Sequence, residues 1–480
     1  MARPLIFLAC CALALLGGCG EPATGPIPVS AIGGPPRLVN PNLRRLEPPS
    51  AFLLDAIAQG LVRFNAAGEI EPALAQSWIV SDDGLRYTFR LRRTDWAGGG
   101  RVTAEQVAAR LRAALSRASR NPLKPVLAGI ESIVAMTDEV LEISLRGPRP
   151  NLLQLLAQPE LAIILDDSGT GPYRVAGQSG QSLLLTLPPG EEGEPPESPA
   201  ILLRGEPAPA AIARFLSGRA ELVTGGTIGD LPFVRAADAP NNRLVVDQAH
   251  GLFGLAFGSA EGPLANAEVR RALSMAIDRD ALVQALNAPG FTPRNALVPG
   301  GLAELPRPAA PDWATQPLPM RRELAARTVS VLDLEAPLRL RVAMPDGPGH
   351  RILFAHLRRD WRLIGVEAVR VDPGAAAELR LIDAVAPSVL ASWYLRHFTC
   401  DAARICDPAA DQALLAARTA RTLAERRVQL AVADQILASA VPYIPLAAPI
   451  RWSLVAPRLS GFRANAFARH APSELIEEEF

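Results

Sequence analysis

Val269-Arg270-Arg271-Ala272-Leu273-Ser274-Met275-Ala276-Ile277-Asp278-Arg279 is a dense helical block. Val269, Ala272, Leu273, Ala276 and Ile277 fall at i, i+3, i+4, i+7 and i+8, so five apolar side chains share one face of a buried helix. Asp278 or Asp280 can cap the next helix, which carries Leu282, Val283 and Leu286. Arg270 and Arg271 read as helix-surface residues, with Glu268 placed to pair with Arg271 at i, i+3.

Upstream, the period changes. Leu85 to Arg92 alternates apolar and polar residues, the pattern of a half-buried strand, and Val140 to Leu145 repeats it. Between them Thr103-Ala104-Glu105-Gln106 matches a capping box, and its helix continues through Val107, Leu111 and Leu115. Ala211 to Leu216 reads as a helix stopped by Gly218, followed by a strand at Glu221-Leu222-Val223. Downstream, Asp411 to Ser439 reads as one helix ended by Pro442 and Pro445. Leu187 to Pro199, Gly300 to Pro319 and Gly98-Gly99-Gly100 are loops. Strands and helices alternate, and the class is α/β.

The totals fit an ordered protein. The chain has 480 residues, 49% hydrophobic and 20% charged, too apolar for disorder. At roughly 150 residues per domain this means about three compact units or two large lobes. With 49 basic and 49 acidic residues the net charge is zero, which argues against a nucleic-acid partner.

The N-terminus carries an address. Arg3 is a short basic start, and Leu5 to Leu16 is an apolar run ending in Leu16-Gly17-Gly18-Cys19. A dozen apolar residues are too few to span a bilayer, which needs about 20. They fit the hydrophobic region of a signal peptide. The small residues before Cys19 resemble the bacterial lipobox, in which the cysteine takes a diacylglycerol after cleavage. Processing would leave Cys19, Cys400 and Cys406 in the mature chain. The last two could close a small loop in an oxidising compartment, and spacing leaves bonded and free states both open.

Reactive constellations are missing from the sequence. The five histidines show no HExxH or HxxEH spacing. There is no GxSxG elbow, no GxxxxGK[ST] phosphate loop and no GxGxxG opening a helix. Gly225-Gly226-Thr227-Ile228-Gly229 lacks the lysine and spacing of a phosphate loop and reads as a turn or a close backbone contact. Cys400 and Cys406 are too far apart for a CxxC redox pair. A non-enzymatic role without cofactor or metal is expected.

Taken in order, a series of blocks resembles the extracellular solute-binding proteins of family 5, the oligopeptide- and dipeptide-binding group of ABC importers. Gly60-Leu61-Val62-Arg63-Phe64-Asn65, Glu71 to Trp78 and Ser81 to Phe89 begin the series. Trp96, Gly98 and Val102 to Val107 continue it, followed by Gly169-Thr170-Gly171-Pro172-Tyr173 and Leu264 to Asp280. Val441-Pro442-Tyr443-Ile444-Pro445-Leu446 and Gly461-Phe462 end it, so the likeness runs from about residue 38 to the C-terminus. Trp78, Tyr87 and Phe89 are expected to fill the core.

The resemblance implies a two-lobed periplasmic-binding-protein fold of type II, in the large peptide-binding subclass with an extra subdomain in the first lobe. Residues 1–18 would be the signal peptide and 19–36 a lipidated tether. The first lobe would span 37–255, with the extra subdomain at about 48–165. The second lobe would span 256–455, and 456–480 would return to the first. Solute would sit in a cleft closed by a hinge motion. The partners would be a peptide or other small solute, ABC permease subunits and the membrane through the anchor, with the protein a monomer. Relatives also carry nickel complexes, opines, haem, glutathione and sugars. A second use of the same fold, as a solute sensor or chaperone-like lipoprotein, is the alternative.

In peptide-binding members an aspartate four residues before a proline pairs with the peptide's amino terminus. Leu381-Ile382-Asp383-Ala384-Val385-Ala386-Pro387 has that spacing, so Asp383 is the candidate; in isolation it reads equally as a turn or cap residue. The chain departs from the pattern nearby. Arg380 stands where a tryptophan is usual, Ala384 replaces an aromatic, and Gly258 follows Phe257 where an asparagine is common. Trp393 and Tyr394, in the following helical part, are the aromatic candidates.

Overall fold

The computed structural model describes residues 25–189, 198–332 and 334–477. Its first sheet has seven strands, in the order Leu244–Gln248, Ile450–Val455, Leu222–Gly226, Ile27–Ile32, Ile201–Glu206, Ser182–Thr186 and Arg174–Ser179. Ile27–Ile32 lies between two parallel partners, with Ile27, Val29 and Ala31 buried. The other face is buried at Ser30, whose hydroxyl donates to Glu206. The strand falls inside the stretch assigned to the tether (19–36), where Gly and Pro neighbours mask it.

The second sheet has five strands, in the order Val366–Val371, Leu338–Ala343, Leu379–Val385, Gly251–Phe257 and Tyr443–Ala447. Two consecutive strand pairs cross between the sheets. Leu244–Gln248 runs into Gly251–Phe257 through Ala249 and His250, and Tyr443–Ala447 returns to Ile450–Val455 through Ala448 and Pro449. The crossings touch, since the Ala249 amide donates to the Pro449 carbonyl at 3.1 Å. The passages between the sheets lie at 249–250 and 448–449, a few residues before 256 and 455, because a strand joins one sheet as a unit.

A four-stranded antiparallel sheet, Ala75–Val80, Arg86–Leu91, Val140–Leu145 and Ile130–Ala135, forms the extra subdomain with helix Ala104–Leu115. Both halves of the expected capping box are present at Thr103 and Gln106. Tyr87 and Phe89 are buried in this core, and Trp78 packs on it only partly buried. The subdomain core begins at Leu61 rather than 48, because helix Pro48–Ile57 buries Phe52, Leu53, Leu54 and Ile57 against the seven-stranded sheet.

The second lobe is built on the helical block. Helix Ala267–Met275 buries Val269, Ala272 and Leu273, and Asp278 caps helix Arg279–Leu286 by accepting the Ala281 amide. Arg271 meets Glu268 at 4.0 Å on the surface. Arg270 does not lie on the surface: it is buried, donating to the carbonyls of Leu264, Ala265, Ala440 and Val441. The long C-terminal helix is two helices, Pro408–Thr419 and Leu423–Ala440. A second capping box, Thr422 with Glu425, restarts it. The glycine cluster makes close contacts: a Cβ on Gly226 would lie 2.1 Å from the Trp452 ring, and one on Gly229 2.5 Å from His350.

Candidate functional site

Asp383 sits on Leu379–Val385 directly opposite Phe253 of the crossing strand Gly251–Phe257. Its Oδ1 accepts from Arg451 Nη1 at 2.8 Å. Arg451 belongs to Ile450–Val455, a strand of the other sheet, and also donates to its own neighbour, the Ile450 carbonyl, at 2.7 Å. The pair therefore ties the second lobe to the first beside the crossings. The carboxylate is thus neutralised within the chain. Both side chains keep under a fifth of their surface.

A second guanidinium stands close by. Arg294 Nη1 donates to the Gly251 carbonyl at 3.2 Å. Its charge is felt at His250, whose imidazole is held below its ordinary pKa, first by burial and then by Arg294. Neutral His250 adds no counter-charge. Tyr394 and Tyr443 back the group from the second-lobe core. Burial pushes the Tyr394 phenol up to about 12 and the Tyr443 phenol well above its ordinary value, so both remain protonated. The set of one carboxylate and two guanidiniums suits recognition of charged end groups.

The hinge has its own anchor. Asp247, the last buried residue before the first crossing, accepts from the Asn465 amide at 2.9 Å and meets His470 Nε2 at 3.0 Å. The C-terminal tail thereby grips the crossing strand.

The remaining candidates are spread out. Arg380 is three residues from Asp383 on a strand, so it points to the opposite face of the sheet. It is exposed and folds back on its own turn, donating to the Pro373 and Ala375 carbonyls. Gly258 lies beside Glu378, five residues or about 16 Å along the ladder from Asp383. A Cβ there would meet the Ala377 carbonyl at 2.5 Å, so no side chain fits without movement. Tyr394 is fully buried in helix Ala391–Arg396 and is a core residue. Trp393, half-buried, packs against both the extra subdomain and the second lobe, with its ring edge-on to Tyr394 and 4.5 Å from His397. Cys400 and Cys406 form a disulfide with Cα atoms 5.0 Å apart. Cys19 lies outside the described residues.

Arg451 and Arg294 were not singled out from the sequence. The available signal for Arg451 was its place as the one charged residue in Ile450–Val455.

The family model for bacterial extracellular solute-binding proteins, family 5, matches residues 69–368, more than half of the chain. The chain belongs to this family. Among curated relatives of this family 5 protein, the probable ABC transporter periplasmic-binding protein SapA of Escherichia coli K12 is 25% identical over 446 residues, 79% of each chain. The periplasmic murein peptide-binding protein MppA of the same organism is 23% identical over 475 residues, 87% of each chain. In solved structures, Haemophilus influenzae OppA in complex with RPPGFSPFR superposes with a TM-score of 0.79 at 17% identity, covering 94% of this chain and 98% of that one. The last likeness establishes the two-lobed fold. Among the described residues no helix is long and apolar enough to cross a membrane.

Proposed function

We propose that this family 5 protein is the extracytoplasmic solute-binding component of an ABC importer, taking a peptide or another small amine-bearing solute into the interlobe cleft and delivering it to the permease. The observation that carries this reading is the double crossing with a charged end-group cluster beside it: two lobes hinged at 249–250 and 448–449, with Asp383 and Arg451 facing each other across the hinge. Relatives named for periplasmic and murein-peptide binding support the same role. The protein acts as a monomer without catalysis, anchored by a lipid on Cys19 after export.

In this reading Arg451 holds the position that a solute's ammonium would take on Asp383. Binding an amine then means exchanging one cation for another, which keeps the carboxylate paired throughout. Asp383→Ala is expected to weaken binding of trialanine at least tenfold in calorimetry, and Arg451→Gln to strengthen it by removing the competitor. Unchanged affinity in both variants removes Asp383 from the site. A wild-type protein that binds no member of a panel of peptides, amino-acid conjugates and metal chelates overturns the solute-capture reading itself.

The anchor has a separate test. Cys19→Ser should move the protein from the membrane fraction to the soluble one. Retention on the membrane would place the anchor elsewhere.

A further inference from the structure

A second charged cluster lies where the extra subdomain meets the second lobe. The contact is backbone-close: a Cβ on Gly147 would come within 2.5 Å of the Ala420 carbonyl. Asn151 Nδ2 donates to the Val389 carbonyl at 3.3 Å, and the Val389 amide donates to Gln154 Oε1 at 3.1 Å. Arg149, between these contacts, is 6% exposed, and its guanidinium lies over Gly129, where a Cβ would fall 2.4 Å from Nε. The charges that act on it from the second lobe are Arg396, Arg418 and Arg426, with Glu304 as the opposing one.

Glu304 is already committed, since Arg426 Nε donates to its Oε1 at 2.6 Å. Arg426 also spends its other nitrogens on the Ala417 carbonyl and Ser392 Oγ. Beside Arg396 stands Asp401, which is exposed and accepts from the Thr399 hydroxyl. Among the described residues Arg149, Arg396 and Arg418 form no ion pair with a carboxylate of the chain, and all three are at least half-buried. Burial, reinforced by the neighbouring arginines, lowers the Arg149 pKa to about 10, still well above neutrality, so the charge persists. Three like charges drawn from two lobes into one interface repel more strongly than in water.

We propose that Arg149 of the extra subdomain and Arg396 and Arg418 of the second lobe form a binding site for an oxyanion, a phosphate or sulfate group, held between the lobes. Guanidinium forks match tetrahedral oxyanions with paired hydrogen bonds, which a single lysine-type charge does not. The anion converts an interlobe repulsion into a bridge. It binds the closed arrangement, where the subdomain backbone beside Arg149 lies against the second-lobe backbone at Arg418 and Ala420, better than an open one that separates Arg149 from the other two. By that difference in affinity it favours closure. The site is separate from the Asp383 cluster and stands whether the oxyanion is a free ion or part of the solute.

The test is titration of the full chain with inorganic phosphate, and separately with a phosphoserine-containing tripeptide, at constant ionic strength set with chloride. Thermal midpoint and scattering radius are the readouts. Saturable stabilisation and compaction by inorganic phosphate, weakened at least tenfold in Arg149→Gln, is the expected result and assigns a free ion. Binding of the phosphopeptide alone, with the same loss in Arg149→Gln, assigns a group carried by the solute. Arg418→Gln, at a half-buried position, repeats the measurement should Arg149→Gln fail to fold. The proposal is overturned if the wild type binds neither probe saturably, or if folded variants bind them as the wild type does. Phosphate binding by a protein that takes up no solute would leave this site in place and count against the transport role alone.

Discussion

Glu304→Ala is expected to cost the fold about 3–5 kcal/mol, among the largest single losses available in this chain. Glu304 and Arg426 are buried to 2% and 3% of their side-chain surface and meet at 2.6 Å. Removing the carboxylate leaves a guanidinium out of water, beside Arg149 and Arg418, with only the Ala417 carbonyl and Ser392 Oγ to solvate it. The loss comes from that stranded charge rather than from the attraction of the pair. Replacing both partners with leucine should therefore recover most of the stability, since it removes the desolvated charges together. Glu304 Oε2, buried without a hydrogen-bond partner among the described residues, points the same way. Urea denaturation of the single and double variants decides the matter. A loss under about 1 kcal/mol for Glu304→Ala would mean that water reaches Arg426 in the folded state.

Elements whose signals are local were legible in the sequence. The alternation of Val140–Leu145, the cap at Thr103 and the buried face of Ala267–Met275 each come from residues within two turns or one strand of one another. The break in the long C-terminal helix was missed because Ala420-Arg421-Thr422 contains neither Gly nor Pro. The Thr422-Glu425 box was nonetheless there to be read. Arg270 was misplaced for a different reason. The carbonyls it caps, at Ala440 and Val441, are 170 residues away in sequence, and only tertiary packing turns it inward.

The site was legible only in part. Spacing to Pro387 selected a strand residue beside the hinge, Asp383, yet gave no access to Arg451, 68 residues on. Strand geometry then separates the other candidates: Arg380 faces away and Gly258 is displaced along the ladder. The arginine cluster was beyond sequence reading altogether. Arg149, Arg396 and Arg418 look like three ordinary solvated arginines until the subdomain and the second lobe are brought together.

Asp55→Asn is expected to stabilise the protein at pH 8 and to change little near pH 4. Asp55 is in helix Pro48–Ile57, surrounded by protein, and the surface it keeps faces a cavity of about 50 Å³ that Arg63, Gln158, Arg469 and His470 also line. Burial raises its pKa from 3.8 to about 7; Arg469 works against the shift and Glu160 adds to it. The folded state therefore keeps a proton that the unfolded chain releases between pH 4 and pH 7. Asp55's contribution to stability must fall as pH rises through that window and level off above it. A shift of about three units corresponds to roughly 2–4 kcal/mol once some relaxation of the buried site is allowed for. Asp434, pushed up to about 6 by burial, contributes in the same direction with a smaller amplitude. Asparagine keeps the shape and cannot ionise, so the variant should lose Asp55's share of the slope while retaining the low-pH stability. Thermal midpoints of the two proteins at pH 4, 6 and 8 provide the comparison. An equal difference at all three would mean that Asp55 is ionised throughout, with Arg469 as an effective counter-ion. The segment at stake is not remote from the hinge. Gln158, on the cavity wall, donates to the Pro387 carbonyl of the second lobe and accepts from Arg469 of the tail that grips Asp247 through His470. Ionising Asp55 therefore places a new counter-charge beside Arg469, in the tail that holds the first crossing.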